Sequence, residues 1–572
     1  MDEPISPQAR FAWVRKPDGR LVPFDADRIS RDLFAAGEQI GKPDAFLARE
    51  LTDSVLHFLN GEVAAPIPTT TQIADLVVKV VRELGQPELA VAFAEAQQSK
   101  NGDAARSTTP LVQQLAGWVE TTPAPENLIW RTASSSLRDY SLQQVLTRDL
   151  AALQADGLLT LGGLEAPLEL SGWVLSADAV DGLEVVEAIE AARSIAGEFL
   201  SLDGPEYVLA RREANIDAAR DFARAVKLGL RLMQLKAVVN LNCKEPPAHL
   251  GELAMGPLFE SFQNAAQPTR LRQLADALLE QFLTEPGGWR VRVDWHLGRS
   301  DFEPGSENVL LRLARRGLEG APLAFAFDRH RRMIHLGEGL DRHHPATLLH
   351  VRLNLPRLVE QAGADLDAVL FVKKLGSLAR LALSAAKQKR DFLRRHAHAR
   401  PMLGEGFLLD RARLVVVPVG VEAVAQLLLG RGLCSGGAAP ELARQIVQRL
   451  QSVLRADGQA CVLETSVDSA PEWPAAATPA PGRGREFAIR EAAGLTAWDG
   501  SATPKSQLRA ASVMQAVVQS GTATVLLPEA ALPAPEEIAE LLHYAWKQTE
   551  VVRVRFLRLA GAELQPAVPW ED

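Results

Sequence analysis

Four cations, Arg15, Lys16, Arg20 and Arg28, fall close together near the amino end of the sequence, and Val14 and Ile29 bracket them. Arginine forks and a lysine ammonium are the side chains that neutralise carboxylate or phosphate oxygens. A triphosphate in particular needs several of them converging in a partly enclosed place. Thr70 follows in a Thr-Thr-Thr-Gln run, where a hydroxyl at a helix start can add a donor for an anion.

For these residues to converge, the chain between them must fold back on itself. Phe11–Phe24 reads FAWVRKPDGRLVPF, two short runs about Pro17-Asp18-Gly19. Asp-Gly is a hairpin signal, because Gly19 takes a positive φ without steric cost. Asp25 is placed to N-cap a helix over DADRISRDLFAAGEQI, and Phe24 with Ile29 has the spacing of a hydrophobic staple. Ile29, Leu33, Ala36 and Ile40 then recur at helical spacing. A second helix is expected at Phe46–Leu59. A third has its stripe at Ile73, Val77, Val80 and Leu84, with Thr69 and Gln72 at capping-box spacing. A shorter helix over Glu88–Gln98 closes a unit of residues 11–100.

The order and residues of this unit resemble the ATP-cone, the regulatory domain at the amino end of many ribonucleotide reductases. The family's Val-x-Lys-Arg-Asp-Gly hairpin is matched by Val14-Arg15-Lys16-Pro17-Asp18-Gly19. Its apolar residue and basic helix start are matched by Phe24 and Arg28-Ile29, and its Thr-Ser-x-x-Ile helix by Thr70-Thr71-Gln72-Ile73. The resemblance implies binding of ATP or dATP as an allosteric ligand by Val14, Arg15, Lys16, Arg20, Arg28, Ile29 and Thr70. Val14 and Ile29 would wall the base. Pro17 stands where the family has a second basic residue, which lowers the expected affinity unless Arg15 or Arg20 compensates.

The whole chain has 572 residues, 47% hydrophobic and 23% charged, which suits a globular α/β protein with a sizeable core rather than a disordered or fibrous one. Its net charge of −9 supplies no basic field for nucleic acid. The basic run Lys387–Arg400 reads as a solvated helix face and tail. Cys243, Cys434 and Cys461 are widely spaced and no CxxC occurs, which argues against disulfides and thiolate zinc. No metal is expected. The polar start is unlike a secretory leader and no apolar run spans a bilayer, so a cytoplasmic protein without membrane contact is expected.

Residues 101–125 read as a linker, and 126–566 as a large α/β body with a Pro/Ala-rich excursion at 471–486. Strands are expected at VVNLN, at 289–297, 321–328, 349–358 and 413–424, interleaved with helices near 215–235, 305–318, 362–386 and 438–457. LLHVRLNLPRLVEQAG is similar to the Asn-Leu-Pro-Arg strand of anaerobic, glycyl-radical ribonucleotide reductases. VVVPVGVEAVAQLLLGRGL and SQLRAASVMQAVVQSGTATVLLPEAALP resemble later segments of the same enzymes. That resemblance implies a ten-stranded α/β barrel. It also implies a radical cysteine on a loop before the Asn-Leu-Pro-Arg strand, and a glycyl-radical and zinc region near the carboxyl end. The loop here, AFDRHRRMIHLGEGLDRHHPATLL, has no cysteine, and the sequence ends AGAELQPAVPWED.

Cys243, before a Pro-Pro turn, and Cys434, in a Gly-rich turn, are the candidates for relocated chemistry, against a plainer reading as small semi-buried residues. Cys461 reads as core. His330, His335, His343 and His344 lie among arginines that repel a divalent cation, so their loop reads as solvated or as a phosphate contact. Asp294 and Glu422 lie beside strands. The expectation is a non-catalytic or divergent relative of the anaerobic reductase, sensing adenine nucleotide and changing its association with itself or a protein partner. The alternatives are an active reductase with a relocated cysteine, and a regulatory scaffold.

Overall fold

The computed structural model describes residues 11–16, 19–62, 67–98, 125–175, 181–243, 267–284, 291–319, 321–329, 334–363, 366–396, 408–458, 460–464, 502–528 and 532–559. The expected linker up to residue 124 and the excursion at 471–486 lie outside them.

The amino-terminal unit is a hairpin and four helices. Strands β1 (Trp13–Arg15) and β2 (Leu21–Pro23) pair antiparallel with Val14 opposite Val22. Helices α1 (Ala26–Gln39), α2 (Ala45–Glu62), α3 (Thr70–Glu83) and α4 (Pro87–Gln98) pack around Leu33, Ala36, Val55, Leu59 and Val77, all with no more than 1% of their surface exposed. The capping box of α3 forms: Gln72 N donates to Thr69 Oγ1 at 3.1 Å and Thr69 N to Gln72 Oε1 at 2.9 Å. Asp25 is the N-cap residue of α1, but its side chain caps nothing. It accepts instead from Arg31 at 2.8 Å and lies 3.7 Å from Lys387, because two cations attract a carboxylate more strongly than a backbone amide does.

The body begins with α5 (Pro125–Tyr140), a π turn at Ser141–Val145 and α6 (Arg148–Ala155). It continues through β3 (Leu159–Leu161), β4 (Leu170–Leu175), α7 (Gly182–Arg193), β5 (Ala196–Asp203), α8 (Pro205–Arg211), α9 (Ile216–Met233), β6 (Lys236–Leu241), α10 (Gln267–Leu283), β7 (Val291–Leu297), α11 (Glu307–Leu318) and β8 (Leu323–Phe327). A hairpin of β9 (His335–Gly337) and β10 (Leu340–Asp341) leads to β11 (Ala346–Asn354), α12 (Leu355–Ala362), α13 (Ala368–Arg395), α14 (Leu408–Arg411) and β12 (Arg413–Val419). The remaining elements are α15 (Val421–Leu429), α16 (Ala438–Ala456), β13 (Cys461–Leu463), α17 (Pro504–Val518), β14 (Ala523–Pro528), α18 (Pro535–Gln548) and β15 (Arg553–Leu559).

Strands β4 to β8 run parallel in sequence order. A second group, β11, β12 and β13 on one flank and β15 and β14 on the other, is parallel within itself. The two groups meet antiparallel at β4–β11 and β8–β15. The order is β13-β12-β11-β4-β5-β6-β7-β8-β15-β14, with β3 paired to β11 off this path. The two ends approach each other, since Ser520 before β14 donates to Glu464 after β13 at 2.6 Å. Ten strands thus curl towards a barrel.

Strand alternation divides each strand between two environments. On β7, Val291, Val293, Trp295 and Leu297 pack among the outer helices, while Arg292, Asp294 and His296 point the other way and are still buried. The same division leaves Arg553 and Arg555 of β15 off the apolar face that Val554 and Phe556 form.

Two expected elements differ. The strand expected through residue 358 stops at Asn354, whose side chain accepts from Arg357 N at 3.1 Å and starts α12 with Pro356 in its first turn. The basic run from Lys387 is only in part a solvated face: Lys387, Arg394 and Arg395 are exposed, but Lys389 and Arg390 are not. α13 extends to Arg395, and Lys389 and Arg390 are buried because backbone carbonyls accept their protons. Lys389 donates to Ala166 O and Pro167 O, each at 2.8 Å, and Arg390 donates to Ala412 O at 3.0 Å. Burial brings the Lys389 ammonium down to about 8.

Candidate functional site

The hairpin and the start of α3 assemble the amino-terminal residues. Lys16 N donates to Arg20 O at 2.9 Å and Gly19 N to Lys16 O at 2.9 Å, closing a turn in which Gly19 has φ +84°. Arg15 N donates to Pro68 O at 3.0 Å, and a parallel bridge joins Arg15 to Thr69, which lays Thr70 beside β1. Arg28 and Ile29 stand in the first turn of α1, directly after β2. Val14 and Ile29 are buried, whereas Arg15, Arg20 and Arg28 are exposed and Lys16 is half-buried.

Pairing and alternation separate the cations. Lys16 and Arg20 lie opposite one another on the face that carries Val14. Arg15 opposes Leu21 on the other face with Trp13, so it is not brought to the same point. Arg15, Lys16 and Arg28 have no carboxylate partner among the described residues.

The second concentration of chemistry is inside the curled sheet, where the β9–β10 hairpin threads between strands. Leu336 O accepts from Ser201 Oγ of β5 at 2.8 Å and from Asn240 Nδ2 of β6 at 3.4 Å. Gly339 N donates to Glu464 Oε1 at 2.9 Å, and Arg413 of β12 donates to Gly339 O. A Cβ at Gly337 would stand 2.7 Å from Arg292 Nη2, and one at Gly339 would stand 2.4 Å from Val415 Cγ2. Only glycine fits on either side of Glu338.

Glu338 is the hairpin tip and is itself held at φ +50°. Its Oε1 meets Arg292 Nη1 at 3.0 Å, and its carbonyl faces His350 Nε2 at 3.3 Å. Arg292 also donates to both oxygens of Asp294 at 2.8 and 3.2 Å, and Arg553 Nε lies 2.9 Å from Asp294 Oδ2. Burial would push the Asp294 carboxyl up, but Arg292 and Arg553 outweigh it and hold it below the usual range. Burial next to Arg292 pulls Arg555 down to about 10.

At the carboxyl ends of β5 to β8, Asp203 takes Arg342 in a two-bond fork at 2.8 Å each, and His296 Nδ1 faces Asp328 Oδ1 at 2.8 Å. Glu206 Oε1 accepts from Asn242 N at 2.9 Å, while its buried Oε2 has no partner among the described residues. Burial pushes this carboxyl up to about 7.

The cysteines are not at the hairpin tip. Cys243 is buried after β6, its Sγ 3.8 Å from Asp203 Oδ1, and burial pushes its thiol up. Cys434 is half-buried in a 3-10 turn after α15, packed against the outer core. Cys461 begins β13 and packs against that core too. Asp294 and Glu422 face no common cleft, since Glu422 holds Gln426 and Leu433 N, each at 2.7 Å, outside the sheet.

His330 lies outside the described residues. His335 belongs to the β9–β10 hairpin, whereas His343 and His344 lie in the turn that follows it, where His343 is exposed and the His344 side chain is 41% exposed. Burial brings His335 down to about 4, and Asp341 Oδ1 accepts from the backbone of both His343 and His344 at 2.8 Å. Sequence reasoning passed over Glu338, Arg292 and Arg553. The one available signal was Gly-Glu-Gly within a histidine-rich loop. Among the described residues no cluster of His, Cys, Asp and Glu is placed to hold a metal, and no helix is long and apolar enough to cross a membrane.

Residues 13–100 match the ATP cone domain family, so this unit is an ATP-cone. The larger architecture is that of anaerobic ribonucleotide reductase. The Thermotoga maritima enzyme in complex with dATP and CTP superposes with a TM-score of 0.56 at 12% identity, over 78% of this chain and 86% of that one. The same enzyme with dATP in its specificity site gives 0.55 at 11% identity, over 80% and 93%. At such identities the likeness is one of fold. No curated protein matches the chain in sequence.

Proposed function

We propose that this chain is an adenine-nucleotide sensor in which a functional ATP-cone is carried by a reductase-like barrel that does not reduce ribonucleotides. The observation that carries the reading is the hairpin tip. Where the reductase resemblance calls for a radical cysteine there is Glu338, clamped by Arg292 and flanked by two glycines that admit no larger residue. A carboxylate cannot supply the sulfur-centred radical, and this one is committed to Arg292.

In the cone, in contrast, Lys16 and Arg28 have no carboxylate partner among the described residues. ATP or dATP would place its phosphates against Lys16, Arg20 and Arg28, with Thr70 adding a hydroxyl and Val14 and Ile29 meeting the base. Arg15, on the opposite hairpin face, contributes to the local field only. Nucleotide binding would change association with a second copy or a protein partner in the cytoplasm, where these nucleotides reside. No metal is invoked.

Two measurements test the reading. Calorimetry of the full chain with ATP and dATP should give saturable binding that weakens at least about tenfold in Lys16→Ala, as expected for losing one charge-assisted contact. Binding unaffected by Lys16→Ala would remove the cone site. Incubation with labelled ribonucleotides and a radical-generating activase should give no deoxyribonucleotide. Turnover that disappears in Cys243→Ser or Cys434→Ser would establish the active-reductase alternative instead.

A further inference from the structure

The cone is seated on the body by α13. Lys374 donates to both oxygens of Glu50 at 2.7 Å, Ser384 donates to Asp27 at 2.8 Å, and Ser377 donates to Asp53 at 2.6 Å. Arg49 of α2 closes the acidic side, 2.6 Å from Asp27 and 3.8 Å from Asp53. One part of this seam does not balance. Arg380 of α13 spends a single nitrogen, Nη2, on Asp53 and Ser377, and its buried Nε and Nη1 have no acceptor among the described residues.

Arg449 of α16 approaches the same place. Its Nη2 and Arg380 Nη1 lie 3.1 and 3.6 Å from the position a Cβ would take at Gly376, so the two guanidinium groups close over one glycine. Arg449 Nε is also buried, with no partner among the described residues. Burial and then the Arg380 charge pull Arg449 below its ordinary value, the mark of a cation facing another cation. Asp53 pairs with Arg380 and is shared with Arg49. Arg449 has no ion pair among the described residues, and it is half-exposed, so the pair opens to solvent on one side.

Two arginine forks with orphaned N–H groups converging on one point make the arrangement that receives a tetrahedral oxyanion. We propose that the seam between the cone and the body carries a second anion site, for a phosphate group, formed by Arg380 and Arg449 over Gly376. This site is separate from the hairpin cations of the cone. It touches both units, because the anion competes with Asp53 for Arg380.

Calorimetry of the full chain with inorganic phosphate, in a phosphate-free buffer, tests this. Wild type should bind saturably. Arg449→Gln should weaken binding at least about tenfold, and Arg449→Lys less, since it keeps the charge and loses the fork. Any phosphate held by the cone cations weakens in Lys16→Ala, whereas the binding that Arg449→Gln removes should persist there. Asp53→Asn should tighten it about threefold, because a competing carboxylate is removed while the amide still accepts. The opposite signs at Arg449 and Asp53 separate a site from a seam that merely loosens.

Several results would overturn the proposal. One is absence of binding at phosphate concentrations on the order of tens of millimolar. Another is equal affinity in Arg449→Gln. Loss in Lys16→Ala alone would assign the phosphate to the cone. Weakening in Asp53→Asn to match Arg449→Gln would reduce the effect to seam integrity.

Discussion

The cone hairpin and the barrel interior are both rich in cations, and they treat them in opposite ways. In the barrel, Arg292 and Arg553 share Asp294, Arg292 also takes Glu338, Arg342 forks onto Asp203, and Arg413 lies 2.9 Å from Asp341. In the cone, Arg15 and Arg28 face solvent, Lys16 is half-buried, and none of the three has a carboxylate partner among the described residues. Buried charge must be neutralised internally, because leaving water is costly and only a close partner repays it. A charge so repaid has little left for a ligand. Exposed cations at a hairpin cost nothing to leave unpaired, and they stay available. The contrast favours the cone hairpin over the barrel interior as the place for a charged ligand, although the barrel has the shape of an enzyme.

The hardest way to break this comparison is to unbalance the barrel. Asp294→Ala strands Arg292 and Arg553 in a dry interior, and removing one partner of such a group costs about 3–5 kcal/mol. Chemical denaturation should register that loss, whereas the same substitution at an exposed charge would be nearly silent. A small effect would mean that water reaches the interior and that the barrel is less closed than its ion pairs indicate.

The cone gives the next largest effect. Lys16→Ala should cost about 1.5–3 kcal/mol of nucleotide affinity with no loss of stability, since the ammonium has no carboxylate partner to strand among the described residues. A stability loss of that size would show that Lys16 is structural and would erase the contrast.

Glu206 sharpens the comparison through pH. Its folded value of about 7 exceeds the ordinary 4.5, so the native state holds a proton that the unfolded chain releases. The stability this group contributes is complete below about 4.5 and is lost as pH rises through about 7. Asp294 and Asp27 are shifted the other way and act below that window. Glu206→Gln keeps an acceptor for Asn242 N and cannot ionise. It should flatten the decline and be the more stable form at about pH 8, by about 1–3 kcal/mol. Urea midpoints taken at two pH values decide this, and parallel curves for the two proteins would refute it.

What could be read in advance follows the range of the interactions. The hairpin turn, the α3 cap and the four cone helices are set by neighbours a few residues away, and each was legible. The face of Arg15 was legible too, since β1 alternates, but a cluster of cations reads more readily as convergent than as divided. The side chain of Asp25 was legible only in part: Arg31 competes from within α1, but its second cation, Lys387, comes from late in α13. Lys389 and Arg390 looked like a solvated run because their acceptors are backbone carbonyls at 166, 167 and 412, which no side-chain pattern announces. On β7 the alternation of WRVRVDWHL was plain, yet the partner of Asp294 on the last strand was not. A period reveals two faces without saying which is lined with charge.

The smallest prediction concerns a contact that is local on every count. Thr69 Oγ1 accepts from Gln72 N, and Gln72 returns the bond to Thr69 N, so two amides at the start of α3 depend on one pair of side chains. Thr69→Ala removes half of that box and should cost about 1 kcal/mol. The cost should fall on the cone alone, because the affected amides are partly exposed and no body residue shares the bond. Thr70 is the adjacent residue, however, and the bridge from Thr69 to Arg15 carries any fraying of α3 to the hairpin. Nucleotide affinity should therefore fall in Thr69→Ala while the midpoint of the barrel stays fixed. A variant that shifts both equally would show that the cone and barrel unfold as one cooperative unit, with the α13 seam, rather than the hairpin, governing cone stability.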